Sequence, residues 1–335
     1  MKHLITLVLP LLLAGCAGER SFPEVKKLSE YKETDFVTTP QSPLPTGKNA
    51  VYSVPMLYTW QQIKEIGKGQ VVIDKGYNDL TLLNTSKSWE KALNKDEYTA
   101  TTTVEEGNRI VAHAEFSKSL PFKVKFKSFD NELKFNNESV KAFGVKAEDY
   151  DLASTIGIVY YKSDNDFIVR LYPSEQEHEI ILYMPNDQSG TLQQMFDSVE
   201  KKIKKGNKDR IIYENFWKYR LHNEGDELLV PKFSFNIETN YTTLENSKFK
   251  MGDKPYLIET AYQRTAFLLD EEGAKAESEA LEETTVEESP AGAIEEKPHP
   301  KKLHFNKPFL VILKRKDSPN PYFAMWVENT ELMQK

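Results

Sequence analysis

Hydrophobic positions along the chain fall into two spacings. Met56, Leu57, Trp60, Ile63 and Ile66 recur every three or four residues and Gly67 closes the run, which predicts a helix. Leu192, Met195, Phe196, Val199 and Ile203 predict a second helix, ending in lysines and Gly206 as the helix dipole favours. Elsewhere the period is two or the apolar run is continuous: Phe122, Val124 and Phe126; 156–161; 167–172; 180–184; Phe233, Phe235 and Ile237; 265–269; 309–313; and 322–327. Strands therefore outnumber helices, no βαβ alternation of nucleotide-binding type occurs, and the class read from the pattern is α+β. Both helical stripes are read as core faces.

The first residues stand outside this pattern. Lys2 and His3 precede an apolar run over 4–13, and Leu13-Ala14-Gly15-Cys16 follows. The run is shorter than the roughly 20 residues a bilayer needs, so it reads as a secretion signal. Leu13-Ala14-Gly15-Cys16 resembles a bacterial lipobox, which implies acylation of Cys16, a mature chain beginning there, and an outer-membrane lipoprotein facing the periplasm or the surface. An ordinary signal peptide with a chance cysteine is the alternative. Cys16 is the only cysteine, so no intramolecular disulfide forms. Residues 16–47, with Pro23, Pro40, Pro43 and Pro45, read as an extended tether, leaving 48–335 as one domain.

Charge is unevenly placed. The formal net charge is −7, yet 270–297 alone carries eleven acidic and two basic side chains, leaving the remainder at +2. An evenly basic nucleic-acid surface is thereby excluded. No His-x-x-x-His, Cys-x-x-Cys, Gly-x-Ser-x-Gly or phosphate-loop arrangement occurs, so no metal, cofactor or hydrolase site is read. Glu175, Glu177, His178 and Glu179 follow Pro173 and read as a solvated turn rather than metal ligands.

The acidic segment carries a pattern of its own. Ala274, Ala276, Ser278 and Ala280 are small while Lys275, Glu277 and Glu279 are charged, so an extended backbone would bury one face and wet the other. Ala, Glu and Lys are poor strand formers, so the segment is able to enter a sheet without being driven there, and Gly273 supplies a turn. A solvated acidic loop with accidental alternation is the other reading.

Asp270-Glu271-Glu272-Gly273 followed by these small residues resembles the reactive-loop hinge of the serpins. Phe305-Asn306-Lys307-Pro308-Phe309 with 310–314, and 323–329, resemble the two C-terminal strands of that family. Val230-Pro231-Lys232-Phe233-Ser234-Phe235 is similar to its Leu-Pro-Lys-Phe strand, and 180–185 to a strand ending in Leu-Pro. The resemblance covers about 110–332 and, weakly, 49–68. It implies a serpin-like fold with a large central mixed sheet, further sheets, flanking helices and an exposed loop over about 271–302. It also implies a monomeric, non-enzymatic inhibitor of serine, and also cysteine, proteases, with hinge residues Glu271, Glu272, Gly273, Ala274, Ala276, Ser278 and Ala280.

The family's spacing counted forward from Gly273 places the scissile bond near Glu287-Glu288; counted back from Phe305 it falls near Ala293-Ile294. Glu282 continues the small face, where a buried carboxylate is costly. Several departures leave open a non-inhibitory surface-binding or structural protein. The chain before Phe116 is short, Gln263 stands where the family has histidine, and Leu120 where it has tryptophan. Ser53-Val54-Pro55 carries Met56 in place of a second serine.

Overall fold

The computed structural model describes residues 21–67, 69–116, 118–146, 148–153, 155–186, 190–221, 224–275 and 299–335. Along the chain run β1 (Lys26–Lys27), β2 (Thr34–Phe36), β3 (Asn49–Ser53), α1 (Pro55–Gly67), β4 (Val71–Ile73) and α2 (Asn78–Thr85). Next come β5 (Tyr98–Glu105), β6 (Arg109–Phe116), β7 (Ser119–Pro121), β8 (Lys127–Phe135), β9 (Glu138–Lys146) and α3 (Tyr150–Ala153). β10 (Ile156–Ser163), β11 (Asp166–Leu171), β12 (His178–Met184), α4 (Leu192–Asp209) and a 3-10 turn (Tyr213–Tyr219) follow. The last third holds β13 (Glu227–Pro231), β14 (Phe233–Asn240), β15 (Lys248–Met251), β16 (Lys254–Asp270), β17 (Gly273–Lys275), β18 (Lys302–His304), β19 (Phe309–Arg315) and β20 (Pro321–Val327).

Among the described residues these strands form three sheets, which makes the fold α+β as the pattern predicts. A mixed sheet runs β5-β6-β16-β14-β1, with β4 and β15 beside one end of β16 and β7 and β17 at the other. A second sheet is ordered β10-β11-β12-β19-β20-β3-β2, and a third β18-β13-β9-β8. The continuous apolar runs become the centre of the second sheet: every residue of β12 and β20 is buried. Two-sided burial explains why those strands lack alternation.

Both predicted helices form. Pro55 opens α1, where a missing N–H costs nothing, and six consecutive residues, Pro55 to Trp60, are buried. Trp60 meets Phe249 edge-on at 5.2 Å, and Gln62 Nε2 donates to the Ala100 carbonyl at 2.9 Å, seating the helix on β5 and β15. Thr191 caps α4 by accepting from the Gln194 amide, and Gly206 lets the helix lie against β10.

Three expectations are corrected. Residues 122–126 are not a strand: Phe122 and Phe126 are buried and meet edge-on at 4.7 Å, but their amides donate to the carbonyls of Glu272 and Glu271 instead of entering a ladder. The stretch read as a tether is packed from Lys26 onward, since β1 and β2 lie at sheet edges and Thr34, Phe36, Val37, Thr38 and Thr39 are buried. Pro23, Pro40, Pro43 and Pro45 all fall outside β1 and β2, so they do not oppose the pairing of those strands. Finally, the solvated turn read over Glu175 to Glu179 covers only the first part of that stretch: 174–177 form a turn with Glu177 exposed, but His178 and Glu179 are buried in β12.

His178 belongs to an ion network that ties the mixed sheet to the second. Lys118 Nζ lies 2.8 Å from Glu97 and 3.0 Å from Glu175, His178 Nε2 lies 3.3 Å from Glu97, and Arg315 approaches Glu97 at 3.6 Å. His178 Nδ1 shares a hydrogen bond with the Tyr322 hydroxyl at 3.2 Å. Burial alone would raise the Glu97 carboxyl, but hydrogen bonds from His178, Lys118 and the Asn94 amide outweigh it and hold it far below its usual range. The unfolded chain therefore binds that proton more readily, and the stabilisation is present above about pH 4.5 and lost as pH falls.

Two outcomes follow. Gly206→Ala should gain about 1 kcal/mol from helix propensity alone, yet its Cβ would stand 2.0 Å from the Val159 carbonyl oxygen. We expect a net loss of roughly 1–3 kcal/mol in urea unfolding, and a stabilised variant would refute the docking. Glu97→Gln should cost about 3 kcal/mol at neutral pH, with the deficit shrinking below about pH 4.5; a deficit constant down to about pH 3 would contradict the linkage.

Candidate functional site

The segment read as a hinge follows the end of β16. Between Leu257 and Thr265 that strand pairs directly and in parallel with β6, from Arg109 to Phe116. Beyond Thr265 the partners separate and β17 fills the gap, antiparallel to β16 through Leu268↔Lys275, Leu269↔Ala274 and Asp270↔Gly273. On its other side β17 pairs with β7 through Gly273↔Pro121, Ala274↔Leu120 and Lys275↔Ser119. The sheet is thus closed along one length and opened by one strand at its end.

Local chemistry fixes this turn. Asp270 Oδ1 accepts from the Glu272 amide at 2.9 Å. Gly273 has φ +133°, and a Cβ there would lie 2.3 Å from the Leu120 carbonyl oxygen and 2.6 Å from Pro121 Cα, so only glycine fits. Ala274 is fully buried on the inner face, the one the small residues were read to occupy. Lys275 points the other way, its ammonium 5.6 Å from the Phe22 ring.

Three ion pairs flank the segment 276–298, two before it and one after. Glu271 reaches Lys232, whose Nζ also donates to Ser128 Oγ at 2.7 Å. Burial works against the Glu271 anion, yet Lys232 holds the carboxyl below its usual range. Glu272 pairs with Lys125 at 2.7 Å, where both side chains are exposed and the gain is below about 1 kcal/mol. On the return side Lys301 is fully buried; its Nζ lies 2.7 Å from Asp226 Oδ2, and its amide donates to Asp226 Oδ1 at 2.7 Å. Its ammonium also stands 5.2 Å over the Trp217 ring. Burial lowers the Lys301 pKa and Asp226 opposes that shift.

Where β16 and β6 still pair, the floor is polar. Gln263 Nε2 donates to Ser53 Oγ at 2.8 Å and Thr265 Oγ1 at 3.1 Å, and these two hydroxyls lie 3.2 Å apart. An amide thus holds together the two hydroxyls beneath the closed part of the sheet. Leu120 is fully buried beside Ala274.

Of the residues singled out by sequence, Glu271, Glu272, Gly273 and Ala274 are brought together here. Cys16, Ala276, Ser278, Ala280, Glu282, Glu287, Glu288, Ala293 and Ile294 lie outside the described residues. Sequence reasoning missed Asp226, Lys301 and Lys118, and quoted Lys232 only as part of a strand. Asp226 and Lys301 are 75 positions apart, and neither stands in a pattern that marks it. Among the described residues no three His, Cys, Asp or Glu side chains converge to hold a metal ion.

No family model matches the chain, and no curated protein matches it. Among solved structures it is similar to a serpin from the trematode Schistosoma haematobium, at 12% identity and a TM-score of 0.48, over 85% of this chain and 94% of that one. It is similar also to Serpin48, a highly specific serpin of the insect Tenebrio molitor, at 13% identity and a TM-score of 0.42, over 83% and 91% of the two chains. A Manduca sexta serpin-12 gives 14% identity and a TM-score of 0.40, over 85% and 69%.

Proposed function

We propose that this chain is a serpin-like protease inhibitor, anchored by a lipid on Cys16 to the bacterial outer membrane and acting as a suicide substrate of serine, and also cysteine, proteases. The observation that carries the proposal is β17: a hinge strand already seated between β16 and β7, above a seam where β16 and β6 are paired directly. A protease nucleophile attacks the scissile carbonyl in 276–298, the amine of the following residue leaves, and the acyl-enzyme stays attached to the arm that begins at Ala276. Freed at that end, the arm extends β17 down the seam by adding strand hydrogen bonds on both sides. Continuing the antiparallel register would set Ala276 opposite Phe267, Ser278 opposite Thr265 and Ala280 opposite Gln263, all inner-face positions of β16. Small side chains are what that face admits.

The same register favours a second reading in one respect. Glu282 would come opposite Ala261, which is buried, and a carboxylate there is costly unless neutral or paired. A protein whose arm stops short of this point is a non-inhibitory member with a binding or structural role.

Incubation of the mature chain with a panel of serine and cysteine proteases should yield a covalent complex that survives SDS, and the loop-cleaved protein should melt well above the intact one. Cleavage without complex across the panel, with an unchanged melting temperature, would establish the non-inhibitory reading instead. Wild-type protein should remain with membranes through a wash at about 1 M salt, which screens peripheral charge contacts, while Cys16→Ser should be released; retention of the variant would refute lipidation at that residue.

A further inference from the structure

The outer face of α4 is patterned as sharply as its inner one. Leu192, Met195, Phe196 and Val199 are buried, whereas Lys201, Lys204, Lys205 and Lys208, spaced three, four and seven residues apart, form one exposed stripe. That stripe is about 10 Å long at 1.5 Å per residue. The helix then delivers Arg210, Ile211 and Ile212 to the surface, with Ile211 81% exposed and Ile212 47% exposed. Phe216 follows at 39% exposure, with the Arg220 guanidinium 3.7 Å above its ring.

Residues 201–220 hold eight basic and two acidic side chains. One of the acids, Asp209, is already engaged by Asn215, Tyr219 and Lys218. On the turn before, Glu200 pairs with Lys204 at 3.6 Å and Asp197 accepts from Gln193. Among the described residues no carboxylate lies within ion-pair distance of Lys201, Lys205, Lys208 or Arg210.

We propose that this surface docks on an anionic lipid bilayer, independently of any anchor at residue 16. A row of lysines meets headgroup phosphates, and each lysine near such a surface raises partitioning about fivefold. Bare isoleucines and a phenylalanine at the end of the row enter the boundary between headgroups and acyl chains, where amphipathic helices bury their apolar residues. A nucleic acid would use the cations and leave Ile211 and Ile212 without a role. The two isoleucines therefore decide in favour of lipid.

The test uses the chain from residue 17 onward, which retains every described residue and lacks both the apolar leader and Cys16. It should sediment with vesicles of phosphatidylethanolamine containing about 30% phosphatidylglycerol and remain in solution with vesicles of phosphatidylcholine alone. Ile211→Asp combined with Ile212→Asp should cut partitioning about tenfold or more. Lys201→Ala, Lys205→Ala and Lys208→Ala together should cut it about a hundredfold. All five side chains are exposed, so the melting temperature should not move. Absence of binding to the anionic vesicles, or isoleucine variants that bind as wild type does, would overturn the proposal. Binding of DNA with wild-type affinity by the isoleucine variants, together with unimpaired vesicle binding, would mark a polyanion site instead. Because residue 16 is absent from the tested chain, failure here leaves the lipid anchor untouched.

Discussion

Asp226 and Lys232 bracket β13, one strand of five residues, and each holds one root of the loop. The two pairs have opposite polarity: Asp226 receives the cation of Lys301, and Lys232 receives the anion of Glu271. β13 is itself locked between β9 and β18, so the spacing of the two roots is set by a strand in the interior of a sheet. The Lys301 pair is fully buried, and removing either partner would strand a charge at a cost of about 3–5 kcal/mol. Such a pair fixes one arrangement more than it adds stability, because replacing both partners with apolar groups is often neutral.

Given that anchorage, the turn over 270–274 is constrained to one geometry. Glu271 and Glu272 give their carbonyls to the amides of Phe126 and Phe122, so the turn is stitched to the segment that leaves β7. Gly273 has no room for a side chain, and Ala274 meets β16 and β7 at once. Next to it, the Lys118 network secures β7 and the start of β5 to the second sheet. β6 and β7 are therefore held at one end by charge, and β6 along its length by parallel pairing with β16. On the proposed reading, opening would require the parallel pairs from Thr265 downward to break one after another, each replaced by bonds to the entering strand.

What was legible in the sequence was what a single period marks. α1 and α4 follow from 3.6-residue stripes, and β12, β19 and β20 from unbroken apolar runs. β5 and β6 escaped because Thr, Ala, Glu and Arg fill them; their outer face is wet and β5 is an edge, so little hydrophobic signal survives. β8 and β9 are joined by Asn136-Asn137, both at positive φ, a short hairpin signal that carries no hydrophobic period. Phe122 and Phe126 misled because alternate burial is common to strands and to a bent segment whose amides bond elsewhere. At the site, Gly273 and Ala274 were legible from side-chain size alone, whereas Asp226 and Lys301 are joined only by the fold.

Chain length links the loop to the seam. In the register of β17, the residue opposite Leu257, where direct pairing with β6 ends, would be residue 286, so on the proposed reading the seam takes an arm of eleven residues, 276–286. Such an arm would run about 37 Å at 3.4 Å per residue. An arm cut at Glu287-Glu288 would exceed the seam by one residue and one cut at Ala293-Ile294 by seven. Of the two cuts, the first would therefore deliver an arm that ends within one residue of where the partner strand β6 ends.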